Sequence, residues 1–306
     1  MAQAPRPLDL PLRNGVSPST VAVPTASWPT VLDFLADRLP ILSRDAWAAR
    51  LAAGDVLGED ALPVAATSAC RPGQRLHYYR SQPNEPEAPE CETIVFQDEW
   101  LVVADKPHFM PVIPSGPYVH RSLVVRLKHR LGLEHLSPIH RIDRETAGLV
   151  AFAVQPATRA PYQALFRERA VEKVYEAVAS YRPELELPRT HISRLETDPD
   201  RFFLSHEVPG PANSHTRVEL IALHGSLAHY RLLPVTGQRH QLRIHMAALG
   251  IPILGDSFYP RVMRGPSEAD DEANPLQLLA RRLAFKDPVT GQEREFSSGL
   301  KLKASL

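Results

Sequence analysis

The spacing of apolar residues predicts a short helical region near the start of the chain, followed by a strand. Apolar residues recur at helical spacing in TVLDFLADRL, at Val31, Phe34, Leu35 and Leu39. RDAWAARLAAG repeats this pattern until Gly54 ends it. In RPGQRLHYYR, a Pro-Gly turn precedes alternating residues that are typical of a strand. Together these segments predict a small unit of two helices and strands over residues 28–81.

From Thr93 onward, strand patterns alternate with helical ones. TIVFQDEWLVVADKP predicts two strands, LVAFAV a buried strand, HTRVELIAL with LAHYRLLPV a hairpin, and LLARRLAFKDPVTGQEREFSS two strands around a turn. VEKVYEAVAS predicts a strand with Lys173 and Tyr175 on one face. SLVVRLKHRLGL, ATRAPYQALFRER and TGQRHQLRIHMAALG predict helices, the last with Arg239 and Arg243 one turn apart. We expect an α+β fold with a mixed, largely antiparallel central sheet, flanking helices and a small N-terminal α/β unit.

The segments outside these patterns are marked by their composition. Residues 1–27 are rich in proline and small polar residues and predict an extended arm, for which packed and disordered conformations are both open. Residues 82–92 are dense in proline and glutamate and predict a linker to a main domain over residues 93–306. RGPSEADDEANP predicts an acidic, mobile insertion.

Composition narrows the class of protein. The 306 residues carry 35 basic and 35 acidic side chains, which argues against a globally basic nucleic-acid binder but leaves local basic patches possible. Cys70 and Cys91 do not have the spacing of a disulfide framework or a zinc ribbon. No long apolar run indicates a signal peptide or a membrane span. We expect a soluble cytoplasmic protein that binds no membrane and has no obligate protein partner.

IHRIDRETAGLV places Asp143 between Arg141 and Arg144, just before an apolar run. A carboxylate beside two guanidinium groups should remain ionised, which suits a nucleophile or an electrostatic partner. An ordinary surface ion pair would have the same pattern. Basic residues also dominate residues 119–144 and 229–245, and a track for a phosphate backbone would need such strips.

Two further motifs carry candidate site residues. In EKVYEA, Tyr175 could equally be a partly buried strand residue with a satisfied hydroxyl. In TGQRHQLRIH, His240 and His245 are five residues apart, a spacing that does not support a zinc site on one helical face. We therefore expect no metal site.

Taken in order, HRIDRETAGL, EKVYEA and TGQRHQLRIH, with PILGD just after, resemble the motifs of RNA pseudouridine synthases of the RluA type. LVVADKP is similar to a family strand that ends in Lys-Pro, and the resemblance covers roughly residues 93–300. Ile142 and Ala147 stand where the family usually has leucine and serine. The N-terminal unit resembles the small alpha-L RNA-binding domain, although it has few basic residues.

The resemblance implies an isomerase that converts uridine in ribosomal or transfer RNA into pseudouridine without a cofactor. It implies that Asp143 is the nucleophile and that Arg243 pairs with the aspartate. It further implies that Tyr175 stacks on the target base, and a part for Tyr175 in proton removal stays open. It also implies that Arg141 holds the base out of the stack, and we expect further RNA contacts from Arg144, Lys173, Arg239 and His240. Attack on the base, attack on the sugar and a glycal route all stay open.

Two other functions remain possible at this point. A non-catalytic RNA-binding factor could use the same scaffold, although it would have no need for Asp143, Tyr175 and Arg243 together. A carboxylate-dependent hydrolase would need a second catalytic acid, for which Glu145 is the near candidate.

Overall fold

The structure is a computed structural model that describes residues 10, 12–25, 28–40, 42–80, 85–86, 91–265 and 268–303. Contacts between Cα atoms divide the chain into two compact units. One comprises Met1–Glu85 with Gly116–His120, and the other comprises Pro86–Ser115 with Arg121–Leu306. No helix in the described ranges is long and apolar enough to span a bilayer.

The first unit contains two helices and a small antiparallel sheet, as its apolar pattern predicts. In chain order its elements are β1 (Ser19–Ala22), α1 (Val31–Arg38), α2 (Arg44–Ala52), β2 (Val56–Leu57) and β3 (Arg75–Tyr78). Thr30 caps α1 reciprocally with Asp33, and Phe34 and Trp47 are fully buried between the elements. β1 pairs with β3 and lies inside the segment for which the sequence predicts an extended arm; the first nine residues of that arm lie outside the described residues.

The second unit contains the remaining elements. In chain order they are β4 (Thr93–Gln97), β5 (Leu101–Lys106), α3 (Leu123–Leu131), β6 (Ser137–Pro138), β7 (Ala147–Ala153), α4 (Arg159–Arg167), β8 (Glu172–Ser180), β9 (Arg189–Thr197), β10 (Ser205–Val208), β11 (Ser214–His224), β12 (Leu227–Pro234), α5 (Gln241–Ala248), β13 (Leu278–Lys286) and β14 (Glu293–Ser297).

Within the described ranges these strands form one sheet of eleven. Nine strands follow the order β10-β9-β11-β12-β8-β13-β7-β5-β4, while β14 pairs with β13 and β6 with β7. The β13–β7 pair is parallel, and the other pairs are antiparallel. The predicted mixed, largely antiparallel sheet is therefore confirmed. β5 and β7 are buried along their whole length, which agrees with the apolar sequence of β7 and of the first four residues of β5.

The parallel contact at the middle of the sheet depends on Gly148. Its φ is +112°, and a Cβ atom built there would lie 2.4 Å from the carbonyl oxygen of Ala280 on β13. Only glycine allows this approach, because any side chain would collide with the β13 backbone. Gly148, the second residue of β7, thereby allows β7 to lie directly against β13 just after the HRIDRET loop.

Two features differ from the sequence-based prediction. The helix predicted to carry both Arg239 and Arg243 is wrong at its start: α5 begins at Gln241, because His240 adopts a left-handed conformation with φ 55°. Arg239 therefore precedes the helix. Strands β9 and β10 have no counterpart in the predicted elements because they are mostly polar and exposed, with Leu195 and Ser205 as their buried residues.

Candidate active site

Asp143 lies in the loop that connects β6 to β7. The loop closes through a hydrogen bond from the Thr146 backbone N–H to the Asp143 carbonyl, 3.2 Å long. The Asp143 side chain keeps 26% of its surface exposed, so it can be reached from solvent. The HRIDRET segment therefore forms a tight loop that presents one accessible carboxylate.

Arg243 projects from α5 and is buried, with 1% of its side chain exposed. Its Nε and Nη2 atoms donate to the two Asp256 carboxylate oxygens at 2.9 and 2.7 Å. The Asp256 carboxylate also accepts from the backbone N–H groups of Phe258 and Tyr259. Burial alone would lower the pKa of Arg243, but the attraction of Asp256 outweighs it and raises the pKa, so the guanidinium stays charged.

The third guanidinium nitrogen of Arg243 faces two other carboxylates. Nη1 lies 3.7 Å from Asp143 Oδ2 and 3.6 Å from Glu145 Oε2, which is too far for hydrogen bonds but close enough for strong attraction. It is buried and has no hydrogen-bond partner among the described residues. Arg243 is thus held by Asp256, while one of its donors remains available beside Asp143.

Tyr175 lies on β8, opposite Leu232 of β12 and Ala280 of β13. It packs against the apolar cluster that includes Leu232 and Leu242. Burial, and then the negative charge of Asp143, raise the pKa of the Tyr175 hydroxyl above its usual range. The side chain is therefore a neutral phenol within electrostatic reach of Asp143.

His240 also lies close to Asp143. Its left-handed backbone turns the ring so that Nε2 lies 3.9 Å from Asp143 Oδ1, while Nδ1 is 2.9 Å from the Tyr259 hydroxyl. Burial lowers the pKa of His240, although the Asp143 charge opposes this shift. The structure thus brings together four of the predicted site residues: Asp143, Tyr175, His240 and Arg243.

The other predicted RNA contacts are placed differently. Arg144 makes two hydrogen bonds to Asp270, at 2.5 and 2.7 Å, and one to Glu145 at 3.0 Å. Lys173 donates to the Thr236 carbonyl at 3.2 Å; burial and then the charge of Arg169 lower its pKa to about 8. These two side chains are engaged within the protein.

Arg239 and Arg141 both lie at the surface, with different surroundings. Arg239 donates to the backbone carbonyls of Phe202 and Phe203 and so ties down the loop between β9 and β10. Arg141 is exposed and makes no hydrogen bond or ion pair with the residues that the structure describes. Of the predicted RNA contacts, Arg141 is thus the guanidinium that faces solvent without an internal role.

Sequence reasoning missed two residues of this site. Lys106, at the end of β5, is fully buried and donates to the carbonyls of Pro107 and Arg144 at 2.9 and 3.0 Å. Burial lowers the pKa of Lys106 to about 7, against the opposing attraction of Glu145. Asp256 is the second. Lys106 lies in the LVVADKP motif and Asp256 in the PILGD motif. Membership of these two motifs is the sequence signal that could have identified them.

One cluster has the composition of a metal site. His191, Glu207 and His245 place possible ligand atoms within 4.8 Å of one another. His191 Nε2 is 2.7 Å from Glu207, and His245 Nε2 lies 3.0 and 3.1 Å from the hydroxyls of Ser214 and Ser193. Hydrogen bonds between protein groups thus account for the arrangement without an ion.

Comparison with known proteins identifies the family to which this chain belongs. The family model for RNA pseudouridylate synthase matches residues 100–248. The Haemophilus influenzae dual-specificity RNA pseudouridine synthase RluA is 31% identical over 217 residues, which cover 70% of this chain and 95% of that protein. The RluA protein of Pasteurella multocida is 35% identical over 212 residues, 67% of this chain and 91% of the relative.

The solved structures agree. The structure of human RNA pseudouridylate synthase domain containing 4 superposes with a TM-score of 0.53 and 26% identity, covering 69% of this chain and 88% of that one. The fold is thus that of RNA pseudouridine synthases, isomerases that convert uridine in RNA to pseudouridine. The chain belongs to the RluA-type family of RNA pseudouridine synthases.

Proposed function

We propose that this enzyme isomerises specific uridines in structured ribosomal or transfer RNA, with Asp143 as the nucleophile and the target nucleotide flipped out of its helix. The observation that supports the proposal most is the pairing of an accessible Asp143 carboxylate with the buried Arg243 guanidinium, 3.7 Å away. Family membership favours this isomerase over the hydrolase and the non-catalytic binding factor that the residues alone leave open.

The reaction needs no external reagent because substrate and product are isomers. The bond between uracil N1 and ribose C1′ breaks, the base turns while it is held, and C5 bonds to C1′. C5 loses its proton, and N1 gains one. Addition of the Asp143 carboxylate to the base, its attack on C1′, and its assistance in forming a glycal are all compatible with this balance.

The residues around Asp143 have distinct parts in this proposal. Arg243 balances the charge of the carboxylate, and its free Nη1 donor lies where an oxygen of the substrate could accept a hydrogen bond. The neutral Tyr175 ring stacks on the uracil and orients it during the turn. His240 lies beside the carboxylate, with its Nε2 atom 3.9 Å from Asp143 Oδ1.

Flipping a paired uridine out of a helix costs a few kcal/mol, which contacts to the emptied position can offset. We assign that contact to Arg141, because its side chain is exposed and two residues from Asp143. In this proposal Arg144, Lys173 and Arg239 support the site through the internal hydrogen bonds described above. Arg144 reaches RNA only where phosphate displaces Asp270.

Pseudouridine mapping tests the proposal. Purified protein is incubated with RNA from a strain that lacks it, and the positions of new pseudouridines are determined in the ribosomal and transfer RNA fractions. We expect a small number of fully modified positions with wild-type protein and none with Asp143→Asn. An unchanged profile in both RNA classes would count against the proposed substrate.

A further inference from the structure

Phe202 is a large apolar side chain that lies in solvent and is linked to the candidate active site through a row of aromatic rings. It belongs to the loop between β9 and β10, and 76% of its surface is exposed. Single exposed apolar residues are common on proteins and by themselves indicate nothing. Two further observations distinguish Phe202 from other exposed apolar residues. Its loop is held in place by hydrogen bonds, and its ring is linked to the candidate site.

The loop that carries Phe202 is fixed in position. One oxygen of Asp198 accepts from the backbone N–H groups of Asp200 and Arg201, at 3.0 and 2.8 Å, while the other accepts from the Arg201 guanidinium. From the other side, Arg239 donates to the carbonyl of Phe202 itself. The ring is therefore held in solvent by a loop that is tied down at both sides.

A row of aromatic contacts connects Phe202 to the site. The Phe202 ring meets Phe203 edge to face at 6.0 Å, Phe203 lies 5.5 Å from Phe258, and Phe258 lies 5.8 Å from His240. His240 in turn faces Asp143. Phe202 is thus the outer, exposed end of a row whose inner end contacts the predicted nucleophile.

We propose that Phe202 is a stacking platform for an unpaired nucleobase beside the target uridine. Every base offers an aromatic face, and proteins that bind single-stranded RNA commonly stack successive bases on exposed aromatic rings. A flipped target leaves its neighbours unpaired or partly unstacked, so a rigid ring at the edge of the site meets such a base. The inference rests on the proposed function, since it requires RNA to enter the site at Asp143.

The charges around the loop between β9 and β10 indicate that stacking, and not attraction of phosphates, would dominate the interaction of Phe202 with RNA. Arg201 is paired with Asp198, the exposed Asp200 is negative, and the Arg239 guanidinium is used by backbone carbonyls. Little positive charge remains for phosphates at this position. The contribution of Phe202 should therefore depend weakly on salt, unlike that of a phosphate contact.

Variants of Phe202 separate stacking from other effects. Phe202→Ala should raise the Kd for a single-stranded oligouridylate about tenfold, as loss of one base stack does. Phe202→Leu, which keeps an apolar side chain without a ring, should behave in the same way. Phe202→Trp should retain binding, and the emission that it adds to that of the three native tryptophans, measured as the difference from wild type, should be quenched by the RNA. The turnover rate at saturating cellular RNA should be unchanged in all three variants.

Leu223→Ala provides a matched control. Leu223 is another exposed large apolar residue of the same unit, with 47% of its surface accessible. It lies on β11 seven residues from Thr216, whose hydroxyl accepts from Gln241 of α5, so it is roughly 23 Å along the strand from that contact. We expect no change in binding or turnover.

Two results would overturn the inference. One is a Kd for Phe202→Ala within twofold of wild type; the other is unquenched emission from Phe202→Trp with the oligouridylate bound. Failure of the proposed function looks different, because wild-type protein would then form no pseudouridine whatever residue stands at position 202. The binding and fluorescence measurements do not depend on turnover and would still decide the role of Phe202.

Discussion

The two sides of the candidate site differ in how their polar groups are satisfied. We call Lys106, Glu145, Arg243 and Asp256 the inner wall; their side chains are buried or nearly so and are held by one another or by backbone carbonyls. We call Arg141 and Phe202 the outer rim; their side chains are exposed to solvent. Asp143 lies between them, partly accessible and within reach of Arg243.

This difference separates two tasks that one site must perform. Charges fixed in a buried wall need no rearrangement when charge develops during a reaction, so they contribute most to the chemical step. Exposed groups that the fold leaves unused contribute to binding, because they gain contacts when the substrate arrives. We therefore expect changes in the wall to lower the reaction rate and changes in the rim to weaken RNA binding.

The largest effect should follow the removal of the charge on Asp143. Asp143→Asn keeps the shape of the side chain, so RNA binding should stay within about twofold of wild type, while turnover falls at least 1000-fold, or about 4 kcal/mol. Release of tritium from RNA labelled at uracil C5 measures turnover, and filter binding measures affinity. Surviving turnover in this variant would mean that another group is the nucleophile.

Asp256→Asn should damage both stability and activity. Replacing a buried carboxylate that holds Arg243 leaves a buried charge poorly compensated, which costs about 3–5 kcal/mol in the free energy of unfolding. Turnover should fall as well, because Arg243 is no longer held beside Asp143. Urea denaturation and tritium release measure the two effects.

Asp270→Asn is the matched control, because Asp270 also accepts two hydrogen bonds from an arginine, but the Arg144 and Asp270 side chains are 24% and 25% exposed, whereas those of Arg243 and Asp256 are each 1% exposed. Pairs of this kind contribute about 0–1 kcal/mol. Equal losses of stability in the two variants would contradict the special position of the inner wall.

The lowered pKa of the buried Lys106 leads us to expect that the stability of the protein depends on pH. Burial lowers this pKa to about 7, whereas a lysine in an unfolded chain has a pKa of about 10.4. Between these values the unfolded state binds more protons, so the free energy of unfolding gains about 1.4 kcal/mol per pH unit from Lys106 as pH rises. Lys106→Met should remove that slope. Urea denaturation of both proteins across this range tests it, and parallel curves would show that Lys106 is charged in the folded protein.

The smallest effect concerns Arg141 in the outer rim. Arg141→Ala should weaken RNA binding several-fold, because the uridine flips as the RNA binds and the contact that offsets the cost of flipping is lost. Removal of one positive charge beside the RNA should also reduce the slope of log Kd against log salt by about 1. The turnover rate of Arg141→Ala at saturating RNA should equal that of wild type. Arg231→Ala is the control: this exposed arginine pairs with Glu219 and, by its register with Glu176, lies on the opposite sheet face from Tyr175. Equal effects of the two changes would argue for diffuse attraction instead.

The sequence predicts most of the sheet and the helices, because both depend on local apolar periodicity, but it does not predict the mostly polar strands β9 and β10. It also indicates that Asp143 and Arg243 belong to one site, although they lie one hundred positions apart, since their motifs resemble those of one family. It could not show that Arg243 is held by Asp256, because that pair forms only when the PILGD turn folds onto α5. The left-handed His240 is equally invisible to a helical pattern, which runs through it without a break.

The exposure of Phe202 is another feature that the sequence pattern could not predict. A single aromatic residue in a polar loop has no period that could reveal it, and its meaning depends on the hydrogen bonds from Arg239, thirty-seven positions away. Sequence patterns record which faces of an element are buried. They do not record which side chains a tertiary contact holds out in solvent.

One measurement tests the separation of wall and rim most directly. Single-turnover tritium release and Kd are determined on the same RNA for wild-type protein, Asp143→Asn and Arg141→Ala. We expect Asp143→Asn to lose the single-turnover rate and to keep its Kd, whereas Arg141→Ala should keep the rate at saturating protein and have a raised Kd. If each variant changes rate and Kd together to the same extent, chemistry and RNA binding are not divided between these two sides of the site.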